Sequence, residues 1–268
     1  MGNFFVSKLF PFLILAGAPF SIKAQNDSLG QTGKSISFPP NEKFKSHKTL
    51  LHIGEGLAYG GFTYLVYKNW DEEIKDFAQA NRSSISNYIS RNIGTLGLGR
   101  SQAILWAGTT VTAFALKDTR LKQAVTIWAG SLVLNSVMTD QLKKTFHRHR
   151  PNSTDFPKLF DWREGQGDNV SLPSAHTSNI FTTATVFASL YPDKKWVAPV
   201  AYSVATLVGL SRIHDNAHWA SDVLAGAAVG FLSAKCTIKI YRWTASRFHF
   251  LPYFNPGDKG IALVYTMK

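Results

Sequence analysis

A chain of 268 residues with 45% hydrophobic and 17% charged side chains has ample apolar surface to bury, which excludes intrinsic disorder over most of its length. Its single cysteine, Cys236, excludes an internal disulfide framework and a cysteine-built zinc site. The formal net charge of +12 favours anionic partners: phosphates, acidic lipid headgroups or nucleic acid. The mean hydropathy of −0.06 argues against a strongly lipophilic polytopic membrane protein.

Residues 1–24 carry Lys8 and Lys23, no acid, and an uncharged run from Leu9 to Ile22 that ends near Ala24. A basic start, a short apolar run and a small residue predict a secretory signal, since about 20 residues are needed to span a bilayer. Its removal leaves 27 basic and 17 acidic residues, a net +10. Export makes nucleic acid the weakest of the three partners. Residues 25–48 are polar, with Gly30, Gly33, Pro39 and Pro40, and read as a flexible linker. Residues 49–248 form the predicted folded domain. Residues 249–268, with Pro252, Pro256 and Gly257, read as an irregular tail holding one short extended piece.

Within the domain, apolar stretches of helical length alternate with short charged breaks, and no period-2 alternation persists. The pattern predicts an all-α bundle of about six core helices, with helices at 50–68, 71–90, 101–117, 119–146, 174–191, 194–212 and 218–243. Four uncharged windows, Ser101–Leu116, Gln123–Thr139, Thr177–Pro192 and Trp196–Ser211, each fall short of about 20 residues. They suit buried helices of a soluble bundle and short membrane spans equally. Trp106, Trp128, Trp196 and Trp219 near helix ends lean toward an interfacial location.

Three clusters carry chemistry. The first, Lys143-Lys144-Thr145-Phe146-His147-Arg148-His149-Arg150-Pro151, closes a long helical stretch. Lys143 and Arg150 lie two turns apart, on one face if the helix continues; a basic helix end that complements the macrodipole is the plainer reading. The second, Pro173-Ser174-Ala175-His176, opens an apolar run. Ser174 is a natural N-cap there, and a helix N-terminus is a ready anion site. The third runs from Ser211-Arg212 through His214 and Asp215 to His218 and Asp222. His218 and Asp222 are four apart and face each other on a helix, so the carboxylate can fix the imidazole tautomer and leave the other nitrogen a better base or nucleophile. A structural His–Asp capping pair fits the same spacing.

Taken together, Lys143, Arg150-Pro151, Pro173-Ser174-x-His176, Ser211-Arg212, His218 and Asp222 resemble the three-part signature of the type 2 phosphatidic acid phosphatase superfamily, which includes bacterial acid phosphatases and vanadium haloperoxidases. One position departs from it: Ala175 stands where the family usually has Gly. The resemblance implies that Lys143, Arg150 and Arg212 bind the phosphate oxygens, with Ser174 and the backbone N–H of Ala175 completing the cradle. It further implies that His218 attacks phosphorus, Asp222 holds His218, and His176 protonates the leaving oxygen. No metal or other cofactor is implied, and vanadate is expected to bind as a phosphate mimic.

The function expected on this basis is an exported phosphatase cleaving a phosphomonoester or pyrophosphate, of a lipid or a small phosphate ester, at the periplasmic face of the inner membrane. A soluble periplasmic acid phosphatase and a vanadium-dependent haloperoxidase are the alternatives. His147, His149 and His214 lack the carboxylate spacing of a metal site. Lys144 and Arg148 read as solvated or as facing acidic headgroups, and Asp140 as an ion-pair partner of Lys143.

Overall fold

The computed structural model describes residues 46–162, 170–255 and 258–265, with side chains described over 56–162 and 170–248. The expected signal segment and nearly all of the linker lie outside these residues. Helix α1 (Ser46–Asn69) begins within the last three residues assigned to that linker. It is followed by α2 (Asp71–Ala80), α3 (Ser84–Gly94), a 3-10 turn (Thr95–Gly97) and α4 (Gly99–Ala115). Four helices then carry the three clusters: α5 (Thr119–Phe146), α6 (Ala175–Leu190), α7 (Val197–His214) and α8 (Ala220–Ala245). The architecture is the all-α bundle expected from the sequence.

Two local departures, and the end of α5 at its expected place, have physical causes. The stretch 71–90 is two helices, because Ser83 caps α3: its Oγ accepts from the Ser86 N–H at 3.1 Å while the Ser86 hydroxyl takes the Ser83 N–H at 2.9 Å. This reciprocal pair restarts the helix after the break at Asn81. Helix α5 stops at Phe146, where His147 adopts left-handed geometry with φ 41° and donates its N–H to the Lys143 carbonyl. Lys143 and Arg150 therefore do not share a helix face, and the exit falls before Pro151. The tail is not irregular but pairs as a hairpin. Strands β1 (Phe248–Asn255) and β2 (Asp258–Tyr265) run antiparallel, from Phe248 opposite Tyr265 to Asn255 opposite Asp258.

Helix α6 is the hub, packed against α5, α7 and α8. One core cluster joins Ala124, Ile127 and Trp128 of α5 to Val186 and Leu190 of α6 and to Ala234, Ile238 and Tyr241 of α8. A second joins Ile180 and Ala184 to Ala205 and Val208 of α7. Between these clusters the helix seams are small and hydroxylic. Ser131, Thr182, Ser233 and Thr237 are buried and return their hydroxyl hydrogens to the carbonyl one turn earlier on their own helices. Such bonds satisfy a polar group without a partner helix. At Gly230 a Cβ would lie 2.2 Å from the Ser178 carbonyl oxygen, and at Gly226 2.5 Å from that of Ser174. The α6–α8 approach is thus set by two missing methyl groups.

The outward faces carry the large apolar side chains: Ile104, Val111, Phe114 and Leu116 on or just after α4, Val200, Leu207 and Leu210 on α7, and Phe231 and Leu232 on α8. Helix α8 is long and apolar enough to cross a membrane. The seams thus hold small polar residues while bulky hydrocarbon faces out.

Candidate active site

All three clusters meet at one end of the bundle, outside the four uncharged windows. The C-terminal turn of α5, the N-terminal turn of α6, the C-terminal turn of α7 and the N-terminal turn of α8 converge there. Backbone bonds lock the clusters together. The Ser174 N–H donates to the Asp222 carbonyl at 3.0 Å, and the Ser171 N–H to the Arg148 carbonyl at 2.9 Å. The N–H groups of Ala217 and His218 fold back onto the Arg212 carbonyl, with Asn216 at φ 56° supplying the reversal.

His218 and Asp222 are neighbours, though not by sharing a helical face. His218 precedes α8 and Trp219 is its N-cap. The Asp222 carboxylate curls back to accept the Trp219 N–H at 3.0 Å, a capping contact that turns the acid toward the preceding residue. His218 Nδ1 lies 3.8 Å from Asp222 Oδ2, too far for a good direct hydrogen bond. The Ser171 hydroxyl sits between them. It donates to Asp222 Oδ2 at 2.6 Å and stands 3.3 Å from His218 Nδ1. With the ring hydrogen on Nδ1, the path runs from imidazole to hydroxyl to carboxylate, and Nε2 is the nitrogen left with a lone pair.

Lys143, Arg150, Arg212 and His218 all act electrostatically on His176, so five of the eight sequence-derived residues share one field. Burial, reinforced by Arg212, His218, Arg150 and Lys143, pushes the His176 imidazole down to about 4. Burial also pushes His218 down to about 4, against the upward pull of Asp222. Lys143 is lowered to about 8 by burial and by Arg150. Burial above all therefore keeps both imidazoles neutral at pH 7, and a tetrahedral dianion would oppose the surrounding cations at His176.

Fixed partners orient the cations. Lys143 donates to the Val170 carbonyl. Arg212 donates to Asp215 at 2.6 Å and to the Ser211 hydroxyl at 3.1 Å. A Cβ at Gly94 would fall 1.8 Å from Arg212 Nη2, and one at Gly97 2.6 Å from the His176 carbonyl oxygen. The end of α3 and the 3-10 turn are thus the wall against which Arg212 and His176 rest. Ser174 is fully buried, and its Oγ accepts from the Thr177 hydroxyl at 3.0 Å. It serves as an N-cap, and Ala175 opens the helix behind it.

Arg148 is the main correction to the sequence reading. It is neither solvated nor turned toward headgroups but 1% exposed. Its guanidinium donates to Asp222 Oδ1 at 2.6 Å, to Asp71 Oδ2 at 2.7 Å, to the Ser221 hydroxyl at 2.7 Å and to the Pro157 carbonyl. Tyr67, Phe160 and Trp219 surround it at 5.2–5.5 Å. Asp71 also accepts the Ser221 N–H at 2.8 Å and its hydroxyl at 2.5 Å. Asp140 pairs with Lys144 at 2.7 Å rather than with Lys143. His149 is bonded to Asp161 and His214 to Ser86. Among the described residues no group of three or more His, Cys, Asp or Glu side chains is placed to hold a metal.

The sequence reading missed Asp71, Ser171, Ser221, Gly94 and Gly97. The acidic run Asp71-Glu72-Glu73 marks a helix start but nothing in it singles out Asp71. Ser171 stood two residues before a recognised motif, with no spacing rule to include it.

A model of the PAP2 superfamily matches residues 124–246. Among curated proteins, the chain is 51% identical over 105 residues to a lipid A 1-phosphatase of Porphyromonas gingivalis, covering 39% of this chain and 21% of that protein. It is 33% identical over 118 residues to phosphatidylglycerophosphatase B of Bacillus subtilis, covering 39% of this chain and 54% of that protein. The fold is similar to the crystal structure of a transmembrane PAP2-type phosphatidylglycerolphosphate phosphatase from Bacillus subtilis. The TM-score is 0.53 at 22% identity, covering 71% of this chain and 96% of that one.

Proposed function

We propose that this chain is a phosphatase of the PAP2 superfamily, whose model matches residues 124–246, and that it acts on a lipid phosphate at a membrane surface. The observation that carries the reading is the convergence of Lys143, Arg150, Arg212 and two neutral imidazoles at one end of a bundle whose flanks are apolar. A cationic cradle suits a phosphate dianion, and phosphoryl transfer needs mainly positioning and charge stabilisation.

The apolar flanks favour lipid contact. In bilayers, helices associate through small residues and hydrogen-bonded hydroxyls, while bulky side chains face the acyl chains. Gly226, Gly230, Ser131, Thr182, Ser233 and Thr237 inside, with Ile104, Phe114, Leu207 and Phe231 outside, follow that rule. The spanning parts are the uncharged helix bodies, and the site lies in the charged rim beyond them. The segment ending at Ala24 supports export, which would set that rim on the outer side of the inner membrane.

In the proposed mechanism, the Nε2 lone pair of His218 attacks phosphorus while the phosphorus–oxygen bond to the leaving group breaks. The leaving oxygen takes a proton from His176, which has drawn that proton from solvent as the bound dianion raises its affinity for it. A water molecule then gives a proton back to His176 and attacks the phosphorus, breaking the P–N bond and releasing phosphate. The Ser171–Asp222 pair holds the Nδ1 hydrogen throughout. No metal or cofactor enters, and vanadate should occupy the cradle as a mimic of the transition state.

Two measurements test this. A phosphate-release panel should show turnover of lipid A or phosphatidylglycerophosphate in detergent at least about 100-fold above soluble monoesters, as expected when remote binding energy is used at the transition state. Turnover of soluble esters alone would overturn the lipid assignment. The second is the pH dependence of sulfate binding, since sulfate does not titrate between pH 5 and 8. His176 is neutral in the free site and gains a proton with the anion, so affinity should rise as pH falls from 7 to 5, approaching tenfold per unit. His176→Asn should flatten this slope. The same depressions make the fold lose stability as pH drops from the ordinary histidine value of 6.5 toward 4, because the unfolded chain binds those protons first.

A further inference from the structure

Arg148 belongs to none of the roles in the mechanism above, yet it is the most completely buried cation of the site. It sits between two carboxylates that are themselves buried, Asp71 from the first turn of α2 and Asp222 from the first turn of α8. Every polar atom around it is committed. Asp222 Oδ1 takes Arg148, while Asp222 Oδ2 takes Ser171 and the Trp219 N–H. The Ser221 hydroxyl accepts from Arg148 and donates to Asp71. An aspartate with three donors on two oxygens has one orientation available, and that orientation sets the Ser171 hydroxyl and, through it, the His218 ring.

We propose that Arg148, anchored by Asp71, is a positioning residue for the nucleophile: the Asp71–Arg148–Asp222 chain fixes the carboxylate and the hydroxyl against which the His218 imidazole is oriented. The effect of Arg148 passes through two other side chains to the attacking nitrogen. A guanidinium suits the task because its planar fork reaches Asp71 on one arm and Asp222 on the other, which a lysine ammonium cannot do from the same backbone position. The inference rests on the reading of His218 as nucleophile, and the test separates the two.

The variants are Arg148→Lys and the double substitution Arg148→Met with Asp71→Leu, which removes Asp71 together with the cation it shares, so that of the two carboxylates only Asp222 is left without its partner. In folded protein, kcat for the best ester of the panel should fall about 10- to 100-fold with KM within about threefold, the size expected when a supporting contact behind a reacting group is lost. Vanadate bonds to an imidazole nitrogen, whereas sulfate needs the cationic cradle alone. Vanadate affinity should therefore fall about tenfold or more and sulfate affinity stay within about threefold. A folded double variant with wild-type kcat and unchanged vanadate affinity overturns the inference and leaves Arg148 a packing element. Should the double variant not fold, Asp71→Asn, which keeps the shape and removes the charge, is read by the same two ratios. Should the wild-type protein hydrolyse no ester, the function proposed above fails, and the vanadate-to-sulfate comparison still decides the positioning role.

Discussion

His218→Ala should lower phosphate release on the order of 10⁴-fold or more, the scale seen when a covalent nucleophile is removed from a site whose members act as a unit. The substitution leaves Lys143, Arg150 and Arg212 in place, so phosphate and sulfate should still bind. KM should move little while kcat collapses, the pattern of an interaction made in the transition state. The intermediate itself offers a check. Phosphohistidine is labile in acid and stable in alkali, so rapid quenching of the wild-type protein with labelled substrate should give an alkali-stable, acid-labile phosphoprotein that His218→Ala does not form. Residual turnover within tenfold of wild type would mean that water, not the imidazole, attacks phosphorus. His218 is buried, and its loss leaves a small void rather than an unpaired charge, so the folded state should survive it.

Arg148→Ala should act on stability first. It strands the carboxylates of Asp71 and Asp222, both with side chains at most 1% exposed, without their shared cation. Breaking a buried ion pair by removing one partner costs about 3–5 kcal/mol, because a buried charge must then be desolvated, protonated or reached by water. Against the usual total of about 5–15 kcal/mol, that is enough to unfold a marginal protein. Thermal or denaturant melting in detergent should register the loss. Raising the proton concentration should recover part of it by protonating the stranded acids. A shift below about 1 kcal/mol would show that solvent or another cation reaches the two carboxylates.

These two residues differ in how visible they were before the fold was known. His218 could be found because its chemistry is local: an acid four residues on, a basic motif before it, and an N-cap signature elsewhere at a recognisable distance. Ser174 was legible for the same reason, since a Ser before an apolar run caps a helix whatever its surroundings. Arg148 was not, because Lys143 to Arg150 offers four lysines and arginines in eight positions and no local rule says which one turns inward. That choice is made by Asp71, 77 residues upstream, and by the left-handed turn at His147 that ends α5 at Phe146. The long-helix reading of 71–90 failed because helix periodicity continues across Ser83, while the capping exchange with Ser86 breaks it. The hairpin at the C-terminus was hidden by Pro252, Pro256 and Gly257, which punctuate the sequence as loops do although pairing across the two runs overrides them. The helical class itself followed from apolar runs long enough to need no partner for their backbone bonds.

Gly94, Gly97 and Asp71 all lie ahead of the segment that carries the family signature, residues 124–246. The reactive end is thus assembled from residues inside and ahead of the matched segment. A chimaera that joined the signature segment of one relative to the leading helices of another would keep every recognised motif. It would misplace one guanidinium wherever the leading helices brought a side chain at position 94, and deprive the other of a counter-ion wherever they lacked the acid at position 71. Transplanting the chemistry requires moving α2, α3 and the 3-10 turn with it.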